Sequence, residues 1–462
     1  MKMTQTLPKG SDVVADSEHI TNKERLSYGA SDFACNVANG MVGTYLMYYY
    51  TDVFGLAAGA IGTLFFVARI VDAISGPTWG IMIDRTHTRW GKSRPYFLWF
   101  SIPYAIFFIL AFSSVPLGPL GKLIWAYVTY IAIDILYLGI NIPITSMLPS
   151  LTASPQERVK FSTVRQVLAT TGATLISIAV LPAVQLLGHG NDKQGFLVTA
   201  IIVAVLTAFL LLVTFKNTHE RVHPKHQTKL SLKQSASALK GNWPWMIISS
   251  MYFFFWIGMQ TKLQVTVYFF KYNMHKADLA SFMLGLQALS LVVIVFTPFL
   301  TRHFGKKGTM VIGLGLCVIS QLVLGVGAKM MNVPILAGAT ILGYFGNGFF
   351  AGLLPVMLAN TVDYGEWKNG VRAEGLVTSF SGIASNLGMG MGGVVTGFLL
   401  SMNGYVANHA QTPQALNAIE MNFVWVPFIG FGIGLILMYF YKFDKMQPKI
   451  EADLKARHEA AD

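Results

Sequence analysis

The chain has 462 residues, of which 53% are hydrophobic and 12% charged, and its formal net charge is +12. A charged fraction about half that of an ordinary soluble domain, with apolar residues gathered in bilayer-length runs, excludes a soluble globular protein. The positive balance does not point to nucleic acid, because the basic residues occupy alternate loops, which is how membrane topology is set.

In chain order, stretches of about 20 mostly apolar residues begin near Ser27, Ala57, Tyr96, Leu123, Val164, Phe196, Trp245, Leu279, Thr309, Pro334, Leu376 and Asn422. They predict an all-α membrane protein with twelve transmembrane helices. Met1 to Glu24 is polar, without the charged, apolar and small-residue succession of a leader, so no cleaved signal peptide is expected. Lys and Arg concentrate in the N-terminal tail, every second loop and the C-terminal tail, which places both termini in the cytoplasm of a multi-pass protein of the cell inner membrane.

The polar stretch Lys216 to Asn242 splits the spans six and six. The expected organisation is a cytoplasmic tail over 1–26, a six-helix bundle over 27–215, a cytoplasmic linker over 216–243, a second six-helix bundle over 244–441 and a cytoplasmic tail over 442–462. The loop Asp84 to Pro95 has a shorter echo in Arg302 to Gly308, two basic turns at matching places, which suggests duplicated halves. Halves of that kind rock about a midplane site in the major facilitator architecture. Cys35 and Cys317 fall inside predicted spans and read as small apolar fillers. The run Gly388-Met389-Gly390-Met391-Gly392-Gly393 lets helix backbones approach closely, either as ordinary packing or as a gating contact.

Charges inside a bilayer cost on the order of 3 kcal/mol and need a partner or water, so they mark the informative positions. Asp32 and Asn36 sit one turn apart in the first span, and Arg69 and Asp72 are i, i+3 in the second. Asp134, Asn141 and Thr145 share a stripe in the fourth span, and Lys262 lies midway along the seventh. Arg69 and Asp72 can neutralise each other within their helix. Asp134 and Lys262 have no partner on their own helices, so they either pair across the halves or face a watery path, and both alternatives put them near a cavity. Asn36 and Asn141 serve as inter-helix hydrogen-bond glue or as partners for sugar hydroxyls, since an amide both donates and accepts. The chain lacks a nucleotide-binding glycine loop and the motifs of common hydrolases, so it reads as a secondary transporter, not an enzyme, with no cofactor.

Met47 to Gly55 (MYYYTDVFG), Gly62 to Ala73, Arg89 to Pro95, Asn141-Ile142-Pro143, Glu157-Arg158 with Arg165, Thr361 to Glu366 and Gly370 to Gly375 occur in both halves and in order. On these motifs the chain resembles the glycoside-pentoside-hexuronide:cation symporter family, whose best-known member is melibiose permease. With Asn at 36 and 141 and the segment Gly404-Tyr405-Val406-Ala407-Asn408, it is more similar to the glucuronide and pentoside branch. The resemblance implies Asn36, Asn141 and Arg165 as sugar-site residues and Asp72 as the cation-site carboxylate. Thr145 and Lys262 join the substrate-site candidates from their positions in the spans, and Asp32 and Asp134 join Asp72 as candidate coupling carboxylates.

Three departures bear on coupling. Gly76 stands where the family has a second Asp, Asn386 where it has a Lys in the eleventh span, and Gly382 where a Thr assists a sodium site. Sodium needs several hard oxygen ligands, whereas a proton needs one titratable group. The expectation is proton-coupled symport of a sugar, glycoside or hexuronide through Asp72 or Asp134, with an uncoupled sugar uniporter or exchanger, or a lysolipid carrier of the same fold, as the alternatives. A further expectation is a cytoplasmic latch, in which Asp363, Glu366, Arg372 and Glu374 of the second half meet the loop around Arg89 of the first.

Overall fold

The computed structural model describes residues 20–152, 154–221, 239–370 and 374–461; most of the 216–243 linker and Arg372 lie outside them, as does the side chain of Glu374. The first half holds α1 (Asn22–Tyr48), α2 (Ala58–Arg85), α3 (Arg94–Ala111), α4 (Pro119–Leu151), α5 (Pro155–Gly188) and α6 (Asp192–Asn217). The second holds α7 (Trp243–Tyr268), α8 (Leu279–Gly285), α9 (Leu289–Lys329), α10 (Val333–Asn369), α11 (Glu374–Met402), α12 (Pro413–Glu420) and α13 (Val426–Phe440), and α14 (Phe443–Ala461) follows it. Helix starts are set by side chains that accept from otherwise unpaired N–H groups. Thr21, Ser154, Asn191, Asn242, Asn332 and Thr412 do so, and Pro occupies the first turn at Pro155, Pro244, Pro334 and Pro413.

Among the described residues, nine helical stretches are long and apolar enough to cross a membrane. Three further passes complete the twelve expected. In α1 and α7 the apolar run is interrupted by inward-facing polar residues such as Asn36 and Gln264. The third arises because α9 breaks at Gly305 (φ 70°, ψ 172°). Before the break, Val293 and Thr297 pack on Gly348 and Gly352 of α10; after it, Gly313 and Cys317 pack on Gly346 of the same helix. The chain has therefore turned back across the bilayer at Gly305. A φ in this left-handed region is one that glycine adopts without a Cβ clash.

The duplication is visible residue by residue. α1 and α7 each end in a π-helical turn, Tyr49–Val53 and Phe269–Asn273. Each turn closes with the same backbone bonds (Phe54 N to Tyr49 O and Leu56 N to Tyr50 O; Met274 N to Phe269 O and Lys276 N to Phe270 O) and is followed by a left-handed residue, Gly55 or His275. At the other end of the bundle, the basic loop between the second and third passes of each half is held by a carboxylate lying after that half's last pass. Glu220 accepts from the backbone N of Lys92, Ser93 and Arg94, and Asp444 accepts from Lys307 N.

The halves touch mainly toward the end that carries the π turns. There Gly62 of α2 meets Gly397 of α11, Gly59 meets Ser401, and Gly285 meets Ile178 of α5. Toward the basic-loop end they diverge: Gly76 and Gly80 of α2 and Gly382 of α11 have no atom within 4 Å of where a Cβ would sit. Large exposed side chains such as Ile74, Val205, Phe209, Val295 and Phe299 form the apolar exterior that lipid covers. Cys35 and Cys317 are buried free thiols.

Candidate functional site

A polar cavity lies where the halves meet, walled by α1, α2, α3 and α4 on one side and α7 and α11 on the other. Its organising group is Arg69. The guanidinium places Nη1 2.6 Å from Asp72 Oδ2 and Nη2 2.9 Å from Asp134 Oδ2, and Nη2 also donates to Tyr130 Oη at 3.2 Å. A planar fork with five donors can serve three acceptors at once, which the point charge of a lysine cannot. The i, i+3 spacing on α2 brings Asp72 to the arginine, and packing of α2 on α4 brings Asp134. One cation and two carboxylates leave the cluster with a formal excess of negative charge. Among the described residues, Asp72 Oδ1 and Arg69 Nε have no hydrogen-bond partner although both atoms are buried.

Asp134 thus pairs with an arginine of its own half, not across the halves, and at the same time lines the cavity. Asn36 lines it too; its Nδ2 donates to the backbone O of Asp32 at 2.8 Å and to Asp32 Oδ1 at 3.2 Å. Asp32, one turn nearer the basic-loop end, lies 3.6 Å from Arg165 Nε. Asn36, Asp32 and Arg165 therefore form a second polar station beyond the Arg69 cluster. Asn141 donates to Tyr137 Oη at 3.4 Å, and Tyr137 is the residue of that pair that lines the cavity. Thr145 is exposed another turn along and donates to Ile142 O at 2.9 Å.

Lys262 lies elsewhere. On α7, Gln260 and Gln264 face the cavity, and a residue midway between them points to the opposite face of the helix. Its ammonium sits inside the second half, 5.9 Å from the Tyr344 ring centroid and 6.0 Å from that of Phe423.

Gln260 and Gln264 are cavity residues that carry no charge and so do not stand out as intramembrane ions. Their i, i+4 spacing in an apolar span was the available signal. Gln260 Nε2 donates across the halves to Gly43 O at 2.6 Å. Asn386 lines the cavity at the position expected to lack the family's Lys, whereas Gly76 and Gly382, having no side chains, contribute no side-chain oxygen.

Above the cavity, the two π turns lock the halves together through Asp52. Its carboxylate receives Lys271 Nζ at 2.8 Å, Tyr405 Oη at 2.6 Å, Thr51 Oγ1 at 2.7 Å and the hydroxyl of Tyr272, and Asn408 Nδ2 donates to its backbone O at 2.5 Å. Thr51 Oγ1 also pairs with Tyr268 Oη at 2.7 Å. Lys271, Tyr272, Tyr405 and Asn408 all belong to the second half, so this one buried carboxylate ties the halves at that end.

At the basic-loop end, Arg89 stacks over Trp90 at 4.6 Å, and the loop's backbone is held by Glu220. On the other half, the Trp367 indole, one residue past Glu366, donates to Asp453 of α14 at 2.8 Å. Asp363 and Glu366 sit near the end of α10 and are half-buried.

Residues 27–445 match the family model described as MFS/sugar transport protein. A protein named isoprimeverose transporter, from Lactiplantibacillus pentosus, is 57% identical over 438 residues, covering 94% of this chain and 91% of that protein. A putative glycoside/cation symporter of Escherichia coli (strain K12) is 32% identical over 445 residues, covering 96% of each. Among solved structures, a nucleoside transporter superposes with a TM-score of 0.65 at 16% identity, covering 92% of this chain and all of that one.

Proposed function

The chain belongs to the MFS/sugar transport protein family, and on that premise we propose that it carries a neutral glycoside of the isoprimeverose kind across the inner membrane by alternating access, coupled to protons. The observation that carries this reading is the placement of the polar cavity. It lies between two repeated halves, shut at one end by the Asp52 lock and flanked at the other by helices that diverge. The charge bias of the loops assigns the diverging end, and both termini, to the cytoplasm, so the molecule is in an inward-facing state.

Each polar station has a role in this scheme. The sugar lies against Asn36, the tyrosines and the amides of α7, whose donors and acceptors suit hydroxyl groups. Arg165 lies 3.6 Å from Asp32 through Nε, which balances its charge within the first half, and an uncharged cargo is favoured by the resemblance to a carrier named for isoprimeverose. Asp72 takes the coupling proton at Oδ1, the oxygen that accepts nothing in this state. A proton there weakens its pairing with Arg69, which then leans on Asp134 and Tyr130, so proton and sugar are sensed by one cluster. Sodium is disfavoured because Gly76 and Gly382 provide no ligand oxygens beside Asp72.

The test is uptake of labelled isoprimeverose by de-energised cells expressing the protein, with the pH of a lightly buffered medium recorded. Saturable uptake with alkalinisation supports the reading. Uptake without any pH change indicates a uniporter or exchanger. Displacement of uptake by a lysolipid, with no competition from unlabelled sugar, indicates an amphiphile carrier.

A further inference from the structure

The two walls of the cavity differ in chemistry. The first half supplies the charged cluster around Arg69, and the second supplies uncharged groups: the amides Gln260, Gln264 and Asn386 and the edge of α11 at Gly390 and Gly393. Gln260 donates its Nε2 to Gly43 O across the halves. Gln264, one turn along, has no such bond across the halves among the described residues. It is 5% exposed, and its Oε1 accepts no hydrogen bond among the described residues. The residue lines the cavity beside Gly393 of α11, its Nε2 3.3 Å from where a Cβ on that glycine would be, and Oε1 is the polar atom of this wall that is buried and unpartnered. A buried amide oxygen without a donor costs about 1–3 kcal/mol, and a ligand that brings a donor recovers that loss.

We propose that Gln264 is a specificity-determining residue, whose Oε1 accepts a hydrogen bond from one hydroxyl of the bound sugar. The inference rests on the sugar-transport reading and deepens it. It links the second half to a ligand held chiefly by the first, so that cargo bridges the moving bodies. An acceptor at this place rewards a hydroxyl, gains nothing from a deoxy position and repels a carboxylate, so the second half selects neutral glycosides over hexuronides.

The experiment uses the full chain in cells, with labelled isoprimeverose as substrate and its monodeoxy analogues and glucuronic acid as competitors. For the wild type, one monodeoxy analogue competes at least tenfold less well than the parent sugar. In Gln264→Met, similar in length but without the oxygen, KM for the parent rises about tenfold and the parent and that analogue compete equally. Gln264→Ala provides the same readout should the Met variant not reach the membrane. A variant that keeps the wild-type discrimination among analogues overturns the inference, whatever its KM. Absence of any saturable sugar uptake by the wild type overturns the transport reading itself, and the inference with it.

Discussion

A Cβ placed on Gly390 of α11 would overlap Arg69 Cδ of α2, so the arginine that organises the cavity runs through space that only a glycine leaves open. The neighbouring glycines divide between two partners. Gly392 packs on the α7 backbone, where a Cβ would lie 3.0 Å from Ile257 O, and Gly388 approaches Phe253 O; Gly393 and Gly397 face Phe65 and Gly62 of α2. The glycine-rich segment thus brings α11 close to its own bundle on one side and to the opposite half on the other.

Gly390→Ala is expected to displace Arg69 and lower the initial rate of sugar uptake at least tenfold. Gly432→Ala, on α13 with nothing within 4 Å, should leave it unchanged. Uptake normalised to the amount of protein in the membrane checks both. Equal activity of the two variants would mean that Arg69 tolerates another course past α11.

Arg69 serves three acceptors, and its replacement leaves two buried carboxylates without a cation. Arg69→Ala should destabilise the protein by about 3–5 kcal/mol, seen as a lowered Tm in detergent and loss of transport. Arg69→Lys should fail to restore transport, since one ammonium cannot reproduce the fork. Adding Asp134→Asn to Arg69→Ala should recover part of the lost Tm, because it removes one of the stranded charges.

Asp52 closes the π-turn end, the outer one in our proposal, through Lys271, Tyr272 and Tyr405. Asp52→Asn breaks the ion pair while keeping the shape. At about 3 kcal/mol the loss shifts the balance toward the outward-facing state by roughly a hundredfold. Spin labels at the exposed Lys193 and Lys276, one in each half, should report a longer distance in the variant than in the wild type. An unchanged distance would show that the helix contacts at Gly62 and Gly397 suffice to close this end.

How far the sequence foretold these features depends on whether local chemistry or packing decides them. The twelve passes and the six-plus-six division follow from apolar run length and loop charge, which are local quantities, and even the turn between the eighth and ninth passes was marked by its basic residues. The Arg69–Asp72 pair was readable from i, i+3 spacing. The partner of Asp134 was not, because it depends on how α2 lies against α4. Lys262 was placed by depth along its helix, while its direction away from the cavity is a matter of phase relative to Gln260 and Gln264. Asp52 stood in a family motif at a span's end, and its role as a lock emerges only when a distant π turn and the Gly404–Asn408 segment fold over it.

The cytoplasmic latch between Arg89 and Glu366 belongs, in our proposal, to the outward-facing state, when the diverging ends come together. Exposed pairs of this sort contribute about 0.2–1 kcal/mol each, enough to bias an equilibrium. Arg89→Glu and Glu366→Arg should each slow exchange between the two states, and the double swap should restore the rate. Independent, additive losses would confine both residues to topology and local packing.

Sugar movement, in our proposal, is tied to a proton carried by Asp72. The most direct test uses purified protein in vesicles loaded with a pH-sensitive dye and given an inward proton gradient, an inward sodium gradient or neither. Isoprimeverose should accumulate above equilibrium with the proton gradient alone, with sugar-dependent acidification of the lumen. In Asp72→Asn both signals should disappear while sugar exchange across the membrane persists. Accumulation driven by sodium, or equilibration that ignores both gradients, would contradict the proposal.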